Sequence, residues 1–302
     1  MKIFSGNSNK PLAQKVAQGL GIDVSPLEIH IFPDTERRVR VLESVVDVDT
    51  VVVQPTNAPV NLNYMELFFI VDALKRSGAK SVTVVIPYLG YQRQDHVFRS
   101  GEAVSLEVMA KTLEATGVDR IVVYDLHSIK SIEVFKVPVV HLSALPLFTK
   151  FIQSLCSDLS GCVLVSPDMG GIRRIKIISE QLGNIPYVTI NKNRDLETGA
   201  ISSTEFEGEI KQKAFIIDDM ASSGKTLVEA AKLLKANGAE EIYAFVTHAI
   251  FSEDAPKLLQ ESLIKKVFVT DTVLVPKEKQ FEKLEILSVA EEVGRTLSEL
   301  GA

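Results

Sequence analysis

The segment FIIDDMASSGKTLVE, residues 215 to 229, carries a strand, a loop and a helix in one pass. Phe215, Ile216 and Ile217 form a short apolar run that ends on the acid pair Asp218 and Asp219. After a turn of small residues, Leu227, Ala230, Ala231 and Leu234 recur at helical spacing. Between the two lie the hydroxyls of Ser222, Ser223 and Thr226, the glycine at 224 and the cation of Lys225. Backbone N–H groups at a helix start are unpaired, and the helix dipole there favours a phosphate. Ionised carboxylates accept hydrogen bonds and cannot donate, so the acid pair suits sugar hydroxyls or a metal rather than the phosphate itself. Together these features describe a sugar-phosphate pocket at the carboxyl end of a strand, where open α/β sheets bind ligands. Ser-Gly-Lys-Thr also ends nucleotide-binding P-loops, but such a loop needs glycine at position 219, where aspartate stands.

The surrounding chain has 302 residues, enough for about two domains, with 46% hydrophobic and 24% charged residues, as in globular proteins. A net charge of -6 gives no nucleic-acid footprint, so anionic substrates must be met by local Arg, Lys or metal. No apolar run is long enough for a membrane span and no signal-peptide core opens the chain, so a cytoplasmic location is expected. Cys156 and Cys162 form neither a CxxC nor a ligand cluster.

Apolar strand patterns alternate with helical ones throughout, which predicts an α/β protein whose mostly parallel, Rossmann-like sheets are flanked by helices. Asn9 and Pro11 open a first helix, and residues 28–32 and 39–42 read as a hairpin around Pro33-Asp34-Thr35-Glu36. Taken alone, Asp34 and Glu36 read as solvated turn residues. The strand of residues 81–86 runs into a polar and aromatic loop, 87–96, too long for a simple turn. Polar groups stand at the end of one predicted strand after another: Arg93 to His96, His127, Asp168, Lys192 with Arg194, and Asp218 with Asp219. Recurrence across two similar halves points to carboxylates and a histidine that hold a metal while Lys and Arg face phosphates. The boundary is placed after residue 145, giving domains 1–145 and 146–284, with 285–302 a strand and helix packed on the first.

Ordered matches along nearly the whole chain carry a family resemblance: KIFSGNSN (2–9), FPDTE (32–36), MELFFIVDALKRSGAK (65–80), VVIPYLGYQRQD (84–95), DLH (125–127), VSPDMGG (165–171), NKNRD (191–195), IIDDMASSGKT (216–226) and THAIF (247–251). In these the chain resembles the ribose-phosphate pyrophosphokinases, the phosphoribosyl diphosphate synthases. The resemblance implies two phosphoribosyltransferase-like domains and transfer of the diphosphoryl group of ATP to ribose 5-phosphate. It implies a ribose 5-phosphate site at Asp218, Asp219, Ser222, Ser223, Gly224, Lys225 and Thr226, and Mg²⁺ ligands at His127 and Asp168. An ATP site is implied at Phe32, Asp34, Glu36, Arg93, Gln94, Asp95, His96 and Arg99, with the hairpin supplied by a neighbouring subunit, hence a homo-oligomer built on at least a dimer. Lys192 and Arg194 match the basic pair of a mobile catalytic loop.

The chain departs from the family pattern in places. Many members have Asp-Thr where Ser222-Ser223 stand and glycine where Lys225 stands, which bears on the sugar-phosphate preference. The chain stops at Gly301-Ala302 without the Ser-rich tail of many regulated members, and position 101 is glycine, so ADP is expected to inhibit by competing with ATP. A phosphoribosyltransferase or a non-catalytic regulatory paralogue would use a similar pocket; the FPDTE hairpin and the full set of His127, Asp168, Lys192 and Arg194 argue against both. If Lys192 and Arg194 stabilise charge that develops in the transition state, alanine at either should lower kcat by ~10²-fold and move KM little. Steady-state kinetics with unchanged turnover in both variants would remove them from the chemistry.

Overall fold

Apolar runs too continuous for one-sided burial become strands of parallel sheets covered on both faces. The computed structural model describes residues 1–156, 158–194 and 201–301, with the backbone alone for 191–194 and 201–207. The chain forms two units, one of Met1–Leu142 with Asp271–Leu274 and Ser288–Ala302, the other of Ser143–Thr270 with Val275–Leu287.

In chain order the first unit contains β1 (Lys2–Ser5), α1 (Lys10–Gly19), β2 (Leu27–Ile31), β3 (Arg37–Val41), β4 (Asp49–Val53), α2 (Val60–Arg76), β5 (Ser81–Ile86), α3 (Ser105–Ala115), β6 (Arg120–Tyr124) and β7 (Val139–Leu142). Its sheet is parallel, in the order β1-β4-β5-β6-β7, and β2 and β3 form a separate antiparallel hairpin. Strand alternation divides the core. Phe4, Val52, Val84, Ile121 and Val123 join Leu67, Ile70 and Leu74 of α2 and Leu106 and Leu113 of α3 in one cluster. As the sequence predicts, Asn9 caps α1, its side chain accepting from the Leu12 N–H, with Pro11 in the first turn.

The second unit contains α4 (Leu145–Leu155), β8 (Cys162–Ser166), α5 (Ile172–Gln181), β9 (Tyr187–Arg194), β10 (Ile201–Glu207), β11 (Lys213–Ala221), α6 (Lys225–Ala236), β12 (Glu241–Ala249), α7 (Ala255–Gln260), β13 (Lys266–Thr270) and β14 (Leu284–Leu287). Its sheet order is β10-β9-β8-β11-β12-β13-β14, parallel except for the β9–β10 pair. Along β11, Phe215 and Ile217 face a cluster with Phe148, Phe245 and Phe268, whereas Ala214 and Ile216 face one with Ala231, Leu234 and Leu259. The Phe245 and Phe268 rings stack with centroids 4.5 Å apart.

The closing segment divides, whereas the sequence reading sent residues 285–302 together to the first domain. β14 extends the second sheet because Leu284 and Leu287 complete its two opposite core faces. From Ser288 onward the chain belongs to the first unit, where α8 (Ala290–Glu299) packs on α1 and the Tyr124 hydroxyl donates to Glu292 at 2.8 Å. Asp271 fastens this return: its carboxylate takes Lys15, the Ser288 hydroxyl and the Val289 N–H. No described helix is long and apolar enough to cross a membrane, and Cys156 and Cys162 are buried and unbridged.

The GNSN segment beside β1 is spent on a buried carboxylate. Glu66 of α2 is fully buried and accepts from the Asn7 N–H at 2.6 Å, the Asn7 amide at 2.8 Å, the Gln54 amide at 3.1 Å and Arg37 at 2.6 Å. Gly6 permits the approach, since a Cβ there would lie 2.1 Å from Gln54 Oε1. Arg37 begins β3, so this one carboxylate ties the hairpin, β1 and α2. Removing one partner of a buried pair strands the other charge, so Glu66→Ala should destabilise the protein by roughly 3–5 kcal/mol. Urea unfolding midpoints measure the loss, and a loss below about 1 kcal/mol, as for an exposed pair, would contradict this role.

Candidate functional site

Strand order places the acid pair. From β8 the chain runs outward through β9 and β10, then returns across β8 to β11 and continues the other way, so β8 and β11 flank a topological switch point. In such sheets the crevice beyond the carboxyl ends of the two strands binds ligands. Pairing of β8 with β11 ends at Ile216 opposite Val165, and Asp219 and Asp168 each follow three residues later. Asp218 and Asp219 are buried and Asp168 is exposed.

Carboxylates crowd together here. Arg174 of α5 meets Asp219 at 3.0 Å with little of its side chain exposed. Asp218 is held well above the ordinary carboxylate range, first by burial, then by the charge of Asp219 and its hydrogen bond, and by Asp168, with Arg174 pulling the other way. Among the described residues, Asp168, Asp218 and Asp219 are carboxylates gathered about the guanidinium of Arg174, and ionised carboxylates are acceptors suited to a cation or to hydroxyl donors. Asp168 is itself oriented, its Oδ1 accepting the Gly171 N–H at 3.2 Å while the Ser166 hydroxyl donates to its carbonyl at 2.7 Å. Gly171 is needed at this close approach, because a Cβ there would meet Ser166 Oγ at 2.2 Å.

Below the acid pair, α6 starts on Gly224 in the left-handed region, φ +74°, and no side chain caps it. Its first N–H groups face the loop of Ser222 and Ser223, with Lys225 exposed at the first helical position. The loop is clamped from the segment after β12. Ala221 carbonyl accepts from the Ile250 and Phe251 N–H groups, the Ser252 N–H donates to Ser222 carbonyl, and the two hydroxyls of Ser222 and Ser252 lie 3.0 Å apart. Phe251 holds φ +43° while fully buried. An anion cradle backed by a rigid clamp and faced by carboxylates is a geometry for a polyhydroxylated phosphate ester.

The first unit holds the other predicted residues. Phe32 is half-buried at the hairpin end, beside His30 with ring centroids 4.6 Å apart and with Arg38 5.9 Å from its ring centre. Asp34 and Glu36 are exposed at the tip, where Asp34 accepts the Glu36 N–H at 3.2 Å and Thr35 takes φ +74°. In the loop after β5, Arg93, Gln94, His96 and Arg99 are exposed; Asp95 holds the His96 ring at 2.7 Å and accepts from the Ser131 hydroxyl at 3.2 Å. His127 follows β6 and is exposed, with its own N–H and that of Leu126 held by Gln92 and His141. Lys192 and Arg194 lie on the last residues of β9, and their side chains are outside the described structure. The structure thus joins Asp168, Asp218 and Asp219 with the phosphate loop, and joins the 93–99 loop with the segment of His127. Sequence reasoning left out Arg174 and Ser252. Arg174 follows Gly171 by three residues in the sequence, but its pairing with Asp219 depends on the sheet order.

Two family models match the chain: the N-terminal domain of ribose phosphate pyrophosphokinase over residues 1–117, and the phosphoribosyl synthetase-associated domain over residues 203–297. The chain is 40% identical over 300 residues to the chloroplastic ribose-phosphate pyrophosphokinase 2 of Oryza sativa, covering 98% of this chain and 74% of that protein. It is 39% identical over 290 residues to the ribose-phosphate pyrophosphokinase of Fusobacterium nucleatum, covering 96% and 91%. The crystal structure of phosphoribosylpyrophosphate synthetase from Mycobacterium smegmatis superposes with a TM-score of 0.93 at 34% identity, covering 99% of this chain and 98% of that one.

The raised Asp218 fixes the sign of a pH effect. A carboxyl that holds its proton more tightly folded than unfolded adds most stability below about pH 3.9, and that contribution is lost as pH rises through the folded value. Asp218→Asn removes the penalty, so its melting temperature should exceed the parent's at neutral pH, with the gap closing as pH falls into the ordinary carboxylate range. Thermal scans of ligand-free protein across pH test this, and a variant less stable than the parent at pH 7 would refute it.

Proposed function

The chain belongs to the ribose-phosphate pyrophosphokinase family, and from that premise we propose which residues perform each part of its reaction. It transfers the diphosphoryl group of ATP to the anomeric hydroxyl of ribose 5-phosphate, giving 5-phosphoribosyl 1-diphosphate and AMP. The observation that carries the assignment is the buried acid pair at the switch point, set directly before an uncapped helix start.

Asp218 and Asp219 accept the ribose hydroxyls, and the α6 N–H groups with Ser222, Ser223, Gly224, Lys225 and Thr226 hold the 5-phosphate. Burial makes these hydrogen bonds directional and water-poor, so the anomeric oxygen is presented in one orientation. That oxygen attacks the β-phosphorus; the bond to the α,β-bridging oxygen breaks, and AMP leaves. Phe32 and Arg93 flank the adenine, with Asp34 and Glu36 accepting from its amino edge and Gln94, Asp95, His96 and Arg99 completing the ATP site. Lys192 and Arg194 supply positive charge where the phosphoryl oxygens gain negative charge. The hairpin acts on a neighbouring copy, so the working unit is at least a homodimer.

We propose His127, after β6, and Asp168, after β8, each as a Mg²⁺ ligand. The carboxylate donor fits: Asp168 presents an exposed carboxylate to a carboxylate-rich end of the sheet, and Mg²⁺ takes one or two protein ligands with the rest from phosphates and water. When bound, the ion would offset the charge of the polyphosphate.

Purified protein with ATP, ribose 5-phosphate and Mg²⁺, and with no nucleobase, should release AMP and 5-phosphoribosyl 1-diphosphate in equal amounts; EDTA should abolish turnover. Asp219→Asn should lower kcat/KM for ribose 5-phosphate by ~10²-fold or more, since a buried charged acceptor is lost. A requirement for a nucleobase would indicate a phosphoribosyltransferase instead, and no AMP under any of these conditions a non-catalytic paralogue.

A further inference from the structure

The loop after β5 and the loop after β6 are stitched together by a side chain to which nothing above gives a role. Gln92 is 1% exposed, although its neighbours Arg93 and Gln94 are exposed. Tyr91, immediately before it, takes φ +63°, which turns the chain so that Gln92 points inward while Arg93 faces out. The Tyr91 hydroxyl is held by Asn61 at the start of α2, so the kink is braced. Gln92 Oε1 accepts the backbone N–H of His127 at 2.9 Å. A backbone N–H can only donate, so the amide oxygen must face it, and the orientation of the side chain is fixed. Its Nε2 group is buried and has no hydrogen-bond partner among the described residues. A second stitch lies alongside, from the buried Ser131 hydroxyl to Asp95, and the Leu126 N–H is held by His141 at 3.1 Å. Asp125, two residues before His127, sits at φ +29°. The backbone that presents the imidazole is therefore strained, and it is restrained from outside its own strand.

From this geometry we propose that Gln92 is a positioning residue for His127: its amide oxygen sets where the imidazole stands when the loop of Arg93–Asp95 is in place. The inference rests on the reading that His127 serves the reaction. A buried polar side chain in a largely exposed loop has a desolvation cost, and here the side-chain bond that offsets it among the described residues runs to a proposed ligand residue. The same side chain connects the proposed nucleotide loop to the proposed metal ligand, so disorder in one loop reaches the other.

The test uses six full-length proteins: parent, Gln92→Met, His127→Ala, their double variant, Gln92→Glu and Gln92→Asn. Methionine keeps the length and removes the acceptor. Misplacement of a reacting group by about 1 Å can cost ~10²-fold, so Gln92→Met should lower kcat by at least ~10-fold, with KM for ribose 5-phosphate changed less than about twofold. Because Gln92 acts through His127, the double variant should be no slower than His127→Ala alone. Gln92→Glu, which keeps an acceptor oxygen, should restore most of the turnover, and Gln92→Asn, which retracts it by a methylene, should not. Circular dichroism checks folding, and should Gln92→Met fail to fold, the Glu and Asn pair decides. Parental turnover in Gln92→Met, or in Gln92→Asn where that pair decides, would overturn the inference. So would losses that multiply in the double variant, or equal losses in Glu and Asn. His127→Ala with parental turnover would instead overturn the reading of His127 itself.

Discussion

A parallel strand covered on both faces buries its whole length, so charged side chains are confined to its two ends. That constraint governs both units. At the amino ends the charged residues are ordinary and solvated: Lys80 with Asp49, Lys75 with Asp119, Lys265 with Glu241. Such pairs contribute little, about 0–1 kcal/mol each. The carboxyl ends hold Asp125 to His127 after β6, Asp168 after β8 and Asp218 with Asp219 near the end of β11, and these are buried, braced or crowded. The difference lies in which side of the sheet the long loops and helix N-termini occupy.

The carboxyl ends also carry much of the backbone strain, though Thr35, Asp47 and Asn184 lie elsewhere. Tyr91, Asp125, Phe251 and Glu253 all take positive φ without being glycine; the first two lie beside proposed ligand residues, and the last two flank Ser252, which clamps the loop of Ser222. Such conformations persist only where surrounding contacts over-determine them. Here the bracing comes from Asn61, Gln92, His141 and the exchange of hydrogen bonds between residues 221–222 and 250–252. The crowded carboxylates of the second unit are a further instance. Their repulsion is tolerable because the strands that carry them are anchored by Phe215, Ile217 and Phe245 on one face and by Ala231 and Leu234 on the other.

Features that depend on local pattern were legible in the sequence. The apolar run ahead of Asp218, the Asn9 cap with Pro11, and the break at Gly224 all act within a few residues, and periodicity or cap chemistry exposes them. What stayed hidden is what long-range pairing decides. Glu66 reads as one polar residue in an apolar helix, yet it receives Asn7, Arg37 and Gln54 from three other elements. Arg174 reads as a solvated helix charge until α5 is laid beside β11. β14 and α8 are adjacent in sequence and part company in space because the edge of one sheet and the uncovered side of α1 are separate demands. Gln92 looks like one more polar residue of a polar loop, and only burial distinguishes it from Gln94.

The return of α8 to the first unit also shapes how the protein is made. Translation delivers β1 to β7 first, then the whole second sheet, and only afterwards the helix that covers α1. While the ribosome works through β8 to β13 the nascent first unit lacks Asp271, which grips Lys15, and until β14 is also made it lacks Gly294, which sits against Leu20 and Val16. It must wait with apolar surface open, a condition that favours chaperone capture or premature association. Completion of the first unit is thus coupled to completion of the second, and the polypeptide matures as one piece rather than as two modules that fold in turn.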